Sequence, residues 1–279
     1  MATAAKPKEE KPEPNAQFYE KAERALKKVF EKAKATNELH FAMALMPEMR
    51  GMQDGGWNTA EEAARAYGQY GSLLDKLAPD DIVRVRVLLA FYLQTAECSG
   101  FYEVPKKMLL TTEGQGNRYL PFQKLVKKYR KTGEAIAPNA NAIMKDLMGH
   151  CWLLGFRELS EVFDEAFDAD VRNAIAHADY TIAKDGFRLR RRNGGQVRVI
   201  PWEKFGSLMD KGIKLFSIID RIVGEYVQSY NPPKTIKARM SEREPVTDYT
   251  IHYDPATQMF GFTTGTQPAQ GNNPSAARS

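Results

Sequence analysis

Hydrophobic side chains recur every three or four residues over most of this chain, which is the spacing of amphipathic helices. Charged and polar residues fill the positions between them, so each segment presents one apolar face. The pattern predicts helices over residues 15–36, 59–77, 82–98, 122–131, 139–167 and 201–230. Within residues 139–167, one long helix and two helices joined at Gly155 both fit the pattern.

Residues 82–98 are apolar on most sides, which predicts the central buried helix of the fold. Alternating valine and arginine over residues 83–87 leaves a strand as the alternative. Residues 100–121 are interpreted as a long connection. The Gly-Gln-Gly-Asn sequence at residues 114–117 lacks the preceding strand and the following Lys-Ser/Thr of a nucleotide-binding loop, so we expect a flexible loop there.

Methionine occupies nearly every third position of residues 39–52, at Met43, Met46, Met49 and Met52. Such a row could line a groove for a partner, but methionine at helical spacing is more often a filler of the core. We therefore expect these side chains to be buried.

Short strands are predicted after residue 179, where the spacing changes from helical to alternating. The strands cover residues 180–182, 187–192 and 196–200, with turn sequences between them, and a last hairpin covers residues 248–253 and 258–263. The sequence therefore predicts a mainly α-helical bundle with a small antiparallel β-ribbon.

Composition limits where the protein works. The chain has 279 residues, 43% of them hydrophobic, which is typical of a soluble globular protein. Its longest apolar run, residues 87–93, is too short to span a bilayer, and two cysteines are too few for a disulfide framework. We expect a cytoplasmic protein, and its formal charge of +5 favours an anionic partner.

The densest polar chemistry lies in Arg172-Asn173-Ala174-Ile175-Ala176-His177. Asp170 is a suitable N-cap, and residues 171–178 contain no glycine or proline, so the motif is expected to occupy the first turns of a helix. Arg172 and His177 would then lie near the positive end of the helix dipole. At about 100° per residue, Asn173 and His177 share a face, whereas Arg172 and His177 point about 140° apart. Two copies of the helix about a two-fold axis could bring both residue types into one cationic cleft.

Arginine and histidine at this spacing suit chemistry on a phosphate. Arginine matches phosphate oxygens with a planar fork of donors, and histidine exchanges a proton near neutral pH. Four upstream carboxylates compete for the role of an acidic partner: Asp164, Glu165, Asp168 and Asp170. No group of His, Cys and carboxylates has the spacing of metal ligands, so we predict no metal and no cofactor; His150 is interpreted as structural.

The Arg-Asn-x-x-x-His motif, followed by Ala178-Asp179-Tyr180, a hairpin and a long amphipathic helix, resembles the HEPN family of helical ribonucleases and RNA-binding proteins. The resemblance is firmest over residues 161–230. It implies metal-independent RNA cleavage by a homodimer that leaves a 2′,3′-cyclic phosphate. By the same resemblance, His177 would handle the proton, Arg172 would stabilise charge on the phosphorane, and Asn173 would orient one of them.

The resemblance also divides the chain. Residues 139–230 would form a HEPN-like core, preceded by a helical region over residues 15–138 whose role the sequence does not reveal. Residues 231–264 would form a linker with the C-terminal hairpin. The two ends, residues 1–14 and 265–279, are expected to be disordered.

An arginine-rich ribbon is expected beside the motif, and its natural partner is the RNA backbone. Its arginines are Arg188, Arg190, Arg192 and Arg198. An edge hairpin protected from aggregation by its charges is an equally good interpretation. The basic segment 122–131 could border the same nucleic-acid path, although a solvated helix face is the favoured interpretation.

The leading hypothesis is a homodimeric endoribonuclease, a toxin or antiviral defence effector, with RNA as partner, no membrane, and a regulatory or neutralising protein as a further partner. The alternative is a non-catalytic HEPN module that binds RNA or protein. A third reading, an all-α structural protein with a coincidental motif, predicts a monomer without affinity for nucleic acid.

Overall fold

The computed structural model describes residues 15–46, 59–116, 118–190 and 196–265. Over these residues the chain is mainly α-helical with small antiparallel sheets. The helices are α1 Ala16–Thr36, α2 Glu38–Leu45, α3 Thr59–Leu74, α4 Ile82–Glu97, α5 Ser99–Thr112, α6 Ala140–Leu153, α7 Arg157–Ala166, α8 Ala169–Ala176 and α9 Trp202–Gln228.

The strands form one short hairpin and two three-stranded sheets within the described residues. Their bounds are β1 Lys127–Lys128, β2 Ala135–Ile136, β3 Tyr180–Ala183, β4 Gly186–Leu189, β5 Arg198–Ile200, β6 Lys234–Ala238, β7 Thr247–Asp254 and β8 Met259–Thr264. All neighbouring strands are antiparallel, in the orders β1-β2, β3-β4-β5 and β6-β7-β8.

Helix α1 lies at the centre of the fold. Its apolar stripe is buried along the whole helix and packs against α2, α5, α7 and α9. The prediction that residues 82–98 form the central helix was wrong, because α4 begins with Ile82 and Val83 about half exposed, at 49% and 47%. The prediction of a helix rather than a strand there is confirmed.

Two hydrophobic clusters matter for the candidate site. The main cluster joins side chains from the predicted region 15–138 with side chains from the predicted core 139–230, since α1, α2 and α5 pack with α6, α7 and α9. A smaller cluster lies under the motif helix α8, and its members come from α4, α8, β4, β5 and α9. It contains Leu89, Tyr92, Ala96, Val171, Ala174, Phe187, Leu189, Ile200, Phe205 and Met209.

Two segments differ from their predicted structure. Residues 99–112 form a helix rather than part of a loop, although Pro105 lies inside it. A proline in a helix interior costs about 3 kcal/mol, but Phe101, Met108 and Leu109 are buried by the helix and offset that cost. Residues 122–131 form a single 3₁₀ turn and β1 instead of a basic helix, because they lack a continuous buried stripe.

Other predictions are confirmed. Residues 139–167 form two helices, and Gly155, with φ 78°, makes the turn that joins them. The last hairpin is β7-β8, to which the unpredicted β6 adds a strand. The predictions for Met49, Met52, Asn117, Arg192 and the two tails, apart from Gly265, fall outside the described residues. Among the helices that are described, none is long and apolar enough to cross a membrane.

A buried polar chain ties α5 to α6. The Lys106 ammonium lies 2.8 Å from His150 Nδ1 and 2.8 Å from Asp146 Oδ2, and His150 Nε2 lies 3.0 Å from Glu113 Oε2. Because an ammonium group only donates, His150 Nδ1 accepts, and the neutral ring donates from Nε2 to Glu113. Burial, followed by the charge of Lys106, lowers the pKa of His150 below its ordinary value of 6.5.

Tyr92 of α4 holds the junction between α7 and α8. Its hydroxyl accepts a hydrogen bond from the Asp168 N–H at 3.1 Å and donates to the Ala166 carbonyl at 3.5 Å. Gly212 of α9 lies against this junction, where an added Cβ would stand 2.5 Å from Tyr92 Cε2 and 2.9 Å from the Ala166 oxygen. Only glycine allows α9 to approach this closely.

We predict that Gly212→Ala lowers the free energy of unfolding by about 1–3 kcal/mol, because Tyr92 or the Ala166 carbonyl must move. Gly224→Ala is the matched control, since a Cβ there meets no atom within 4 Å. It should leave stability unchanged or raise it by about 0.5–1 kcal/mol through helix propensity. Urea unfolding followed by circular dichroism measures both, and equal effects of the two variants would contradict the prediction.

We also predict that stability falls as pH drops from 7 towards 5.5, because the unfolded chain protonates His150 near 6.5 while the folded chain resists protonation. The His150→Gln side chain keeps a donor and an acceptor but does not titrate. Its free energy of unfolding should therefore fall less on acidification than that of the wild type, by at most about 1.4 kcal/mol per pH unit. Urea unfolding at each pH measures the difference. His252→Gln, on β7, is the control, and a parallel pH dependence of wild type and His150→Gln would refute the assignment.

Candidate functional site

The motif helix α8 begins at Asp168, whose side chain is its N-cap. Asp168 Oδ1 accepts hydrogen bonds from the N–H groups of Asp170 and Val171, both at 3.0 Å. The predicted cap, Asp170, was therefore wrong and lies in the first turn. Val171 and Ala174 are the buried residues of α8, and they face α4 and β4.

His177 closes the helix at its other end. The helix ends at Ala176, and Ala178 adopts a left-handed φ of 54°. The Asp179 N–H donates to the Ala174 carbonyl at 2.9 Å, which is the hydrogen bond of a Schellman C-cap. His177 thus lies at the negative end of the helix dipole, and the prediction that placed it near the positive end was wrong, because the helix starts two residues earlier and is short.

The Arg172 side chain points towards α4 and is only 12% exposed. Its Nη2 forms an ion pair with Glu97, the last residue of α4, and its Nη1 donates to Asn173 Oδ1 at 2.7 Å. Asn141 of α6 donates to the same Asn173 oxygen at 3.3 Å. The guanidinium is therefore held between a carboxylate and an amide that three helices bring together.

Hydrogen-bonding capacity remains unused in this cluster. Arg172 Nε and Asn141 Oδ1 are buried and have no hydrogen-bond partner among the described residues. Each buried unpaired group costs about 1–3 kcal/mol, and such groups are few in native proteins.

His177 stands apart from this cluster. Its side chain is exposed and makes no hydrogen bond or ion pair within the ranges that the structure describes. Arg172 is directed at Glu97, so the two motif residues do not meet within one chain. A ligand that contacts both side chains of one chain would have to reach across the helix from Arg172 to His177.

The arginine-rich ribbon is β3-β4-β5, and its arginines are divided between two faces. Arg198 lies opposite Leu189 in the sheet and so shares its face, which is turned towards α8. Arg198 forms ion pairs with Asp168 at 2.7 Å and Asp170 at 3.7 Å. Arg188 lies on the outer face and pairs with Asp185 at 2.9 Å. The Arg190 side chain is exposed, and Arg192 lies outside the described residues.

The upstream carboxylates have other tasks. Glu165 pairs with Lys21 and Lys211, Asp168 caps α8, and Asp164 is exposed. The acidic partner of Arg172 is Glu97, which the motif-based reading missed together with Asn141. Nothing in the local pattern marks either residue, since each reaches the motif from another helix. Over the described residues, no group of three or more His, Cys, Asp or Glu could hold a metal ion.

We predict that Asp168→Ala lowers the free energy of unfolding by about 0.5–2 kcal/mol, because α8 loses its cap. Asp168→Asn keeps the capping oxygen and removes only the charge opposite Arg198. Because the Arg198 side chain is 43% exposed and its ion pair is screened by solvent, this variant should lower the free energy of unfolding clearly less than Asp168→Ala does. Chemical unfolding of both variants separates the two contributions. If Asn were as harmful as Ala, the ion pair rather than the cap would stabilise this end of α8.

Comparisons with protein-family models, with curated proteins and with solved structures found no match for this chain. The resemblance to the HEPN family therefore rests on the Arg-Asn-x-x-x-His motif and the elements around it.

Proposed function

We propose that this chain is a metal-independent endoribonuclease of HEPN type that acts as a homodimer. The observation that carries the proposal is the arrangement on α8. The Arg172 guanidinium is oriented by Asn173 and Glu97, and at the end of the same helix His177 is exposed and pairs with none of the described residues. A fixed cation and a proton-transfer group are the two functions that phosphodiester transesterification requires.

In the proposed reaction, the ribose 2′-oxygen attacks the adjacent phosphorus, and the bond from phosphorus to the 5′-oxygen breaks. The products are a 2′,3′-cyclic phosphate and a 5′-hydroxyl end. His177 transfers a proton, and Arg172 stabilises the negative charge on the phosphorane. Asn173 positions the guanidinium through its 2.7 Å hydrogen bond with Nη1, and Glu97 would act as a positioning residue on the same group.

A dimer is part of the proposal because one chain directs Arg172 and His177 to different places. A two-fold axis beside α8 would set the exposed His177 of each protomer opposite the other copy of the motif. We also propose that α6 to α9 with the β3-β4-β5 ribbon form a HEPN-like bundle, in agreement with the order of elements around the motif.

The second candidate is a binding module without turnover, and the Arg172–Glu97 ion pair favours it. A guanidinium already neutralised by a carboxylate offers less charge to a phosphorane than a free one would. In this case the same fold holds RNA through its exposed cations, and His177 is dispensable.

The deciding experiment is cleavage of mixed RNA by the purified protein in EDTA, with the product ends tested for cyclic phosphate. We expect cyclic ends in the wild type and a loss of rate of about 100-fold or more in His177→Ala, since general acid–base catalysis contributes at least this much. Arg172→Ala should also abolish cleavage, because the phosphorane loses its cation. His252→Ala, which replaces a histidine outside the motif, should cleave normally.

Arg172→Lys separates a defect in the reaction from a loss of folding, because it retains a cation beside Glu97 but lacks the planar fork of donors. A folded Arg172→Lys protein with strongly reduced cleavage supports a role in the reaction. Wild-type protein that binds RNA but leaves it intact in EDTA would favour the binding module, and wild-type cleavage that survives in His177→Ala would refute the proposal.

A further inference from the structure

Within the described part of the chain, the β1-β2 hairpin, residues 127–136, carries a dense group of positive charges that form no ion pair. Every residue from Lys127 to Ile136 is exposed. Its cations are Lys127, Lys128, Arg130 and Lys131, and Glu134 is its one carboxylate. Unlike Lys21, Arg24 and Arg221, which form surface ion pairs, these four make none with the residues that the structure describes.

The backbone holds these cations outward. Lys127 pairs with Ile136 and Lys128 with Ala135, and the N–H groups of Tyr129 and Gly133 close the turn with hydrogen bonds of 2.8 Å. Gly133, with φ 75°, permits this turn. The turn therefore displays Arg130 and Lys131 at its tip.

An aromatic ring lies among the cations. Tyr129 is 49% exposed and stands between Lys128 and Arg130 in the chain. Cations that follow a phosphate backbone, combined with aromatic side chains on which bases stack, are the features by which proteins bind single-stranded nucleic acids. An acidic protein surface would use the charges but has no need of the exposed ring.

The hairpin is tethered to the candidate site. From Ile136 the chain needs five residues to reach Asn141, a distance of at most roughly 18 Å when fully extended. The Asn141 side chain donates to Asn173 Oδ1 at 3.3 Å. The base of the hairpin and the motif therefore lie within the span of a short single strand.

We infer that the β1-β2 hairpin binds the backbone of a single-stranded RNA whose scissile phosphate lies at the motif, an inference that rests on the proposed function. Arg130 and Lys131 contact phosphates, Tyr129 stacks on a base, and the Asn139–Ala140 start of α6 sets the distance to Asn173. Such contacts select single strands over duplexes and carry little sequence preference.

The test is binding of a fluorescein-labelled single strand of 2′-O-methyl RNA, which lacks the attacking hydroxyl, followed by anisotropy between about 50 and 200 mM salt. Arg130→Ala/Lys131→Ala should weaken binding and reduce the slope of log K against log salt by about 1.4, since each contact to a single strand contributes about 0.7. Tyr129→Ala should weaken binding about 5-fold or more with an unchanged slope.

Lys28→Ala/Lys32→Ala is the matched control, because it removes two exposed charges from α1. It should preserve both affinity and slope. Hairpin variants that bind as the wild type does, or an equal loss in the α1 control, would overturn the inference, as would preferential binding of a polyglutamate peptide to the same hairpin.

The two proposals fail separately. RNA binding that depends on the hairpin, without cleavage in EDTA, supports the RNA contacts of the hairpin but refutes the nuclease and the placement of a scissile phosphate at the motif. Suppose that cleavage depends on His177 and that the hairpin variants bind and cleave RNA as the wild type does. This result refutes RNA binding by the hairpin and supports the nuclease.

Discussion

Helix α8 has eight residues and is too short to be stable in water by itself, so the whole candidate site depends on what holds that helix. The support comes mainly from α4. Tyr92 binds the backbone at the α7–α8 junction, Leu89 and Tyr92 pack under Val171 and Ala174, and Glu97 pairs with Arg172. Helix α4 therefore fixes both the position of the motif helix and the direction of its arginine.

The same support explains why the two motif residues differ so much. Arg172 lies where α4, α6 and α8 converge, and it is nearly buried with its charge compensated. His177 lies beyond the last turn, where the chain leaves the helix through Ala178 and its side chain meets solvent. One residue is positioned by the tertiary structure, and the other is left available to a ligand or a second copy of the chain.

The positive charges, too, divide into a compensated group and an exposed group. Carboxylates around α8 neutralise Arg172 and Arg198 within the fold, so these arginines contribute to local order as well as to any phosphate site. The β1-β2 hairpin, in contrast, carries cations without such partners in the described part of the chain.

The sequence by itself determined the helices whose apolar stripes are regular, the two-helix solution at Gly155, the strands on either side of the 184–185 turn, and the presence of the motif. Periodicity is a local property, so it is visible along the chain. Only the tertiary structure decided that α1 is central, that residues 99–112 are helical despite Pro105, and that residues 127–136 form a hairpin. It also brought Glu97 and Asn141 to Arg172 and Asn173, because contacts between distant segments depend on how the helices pack.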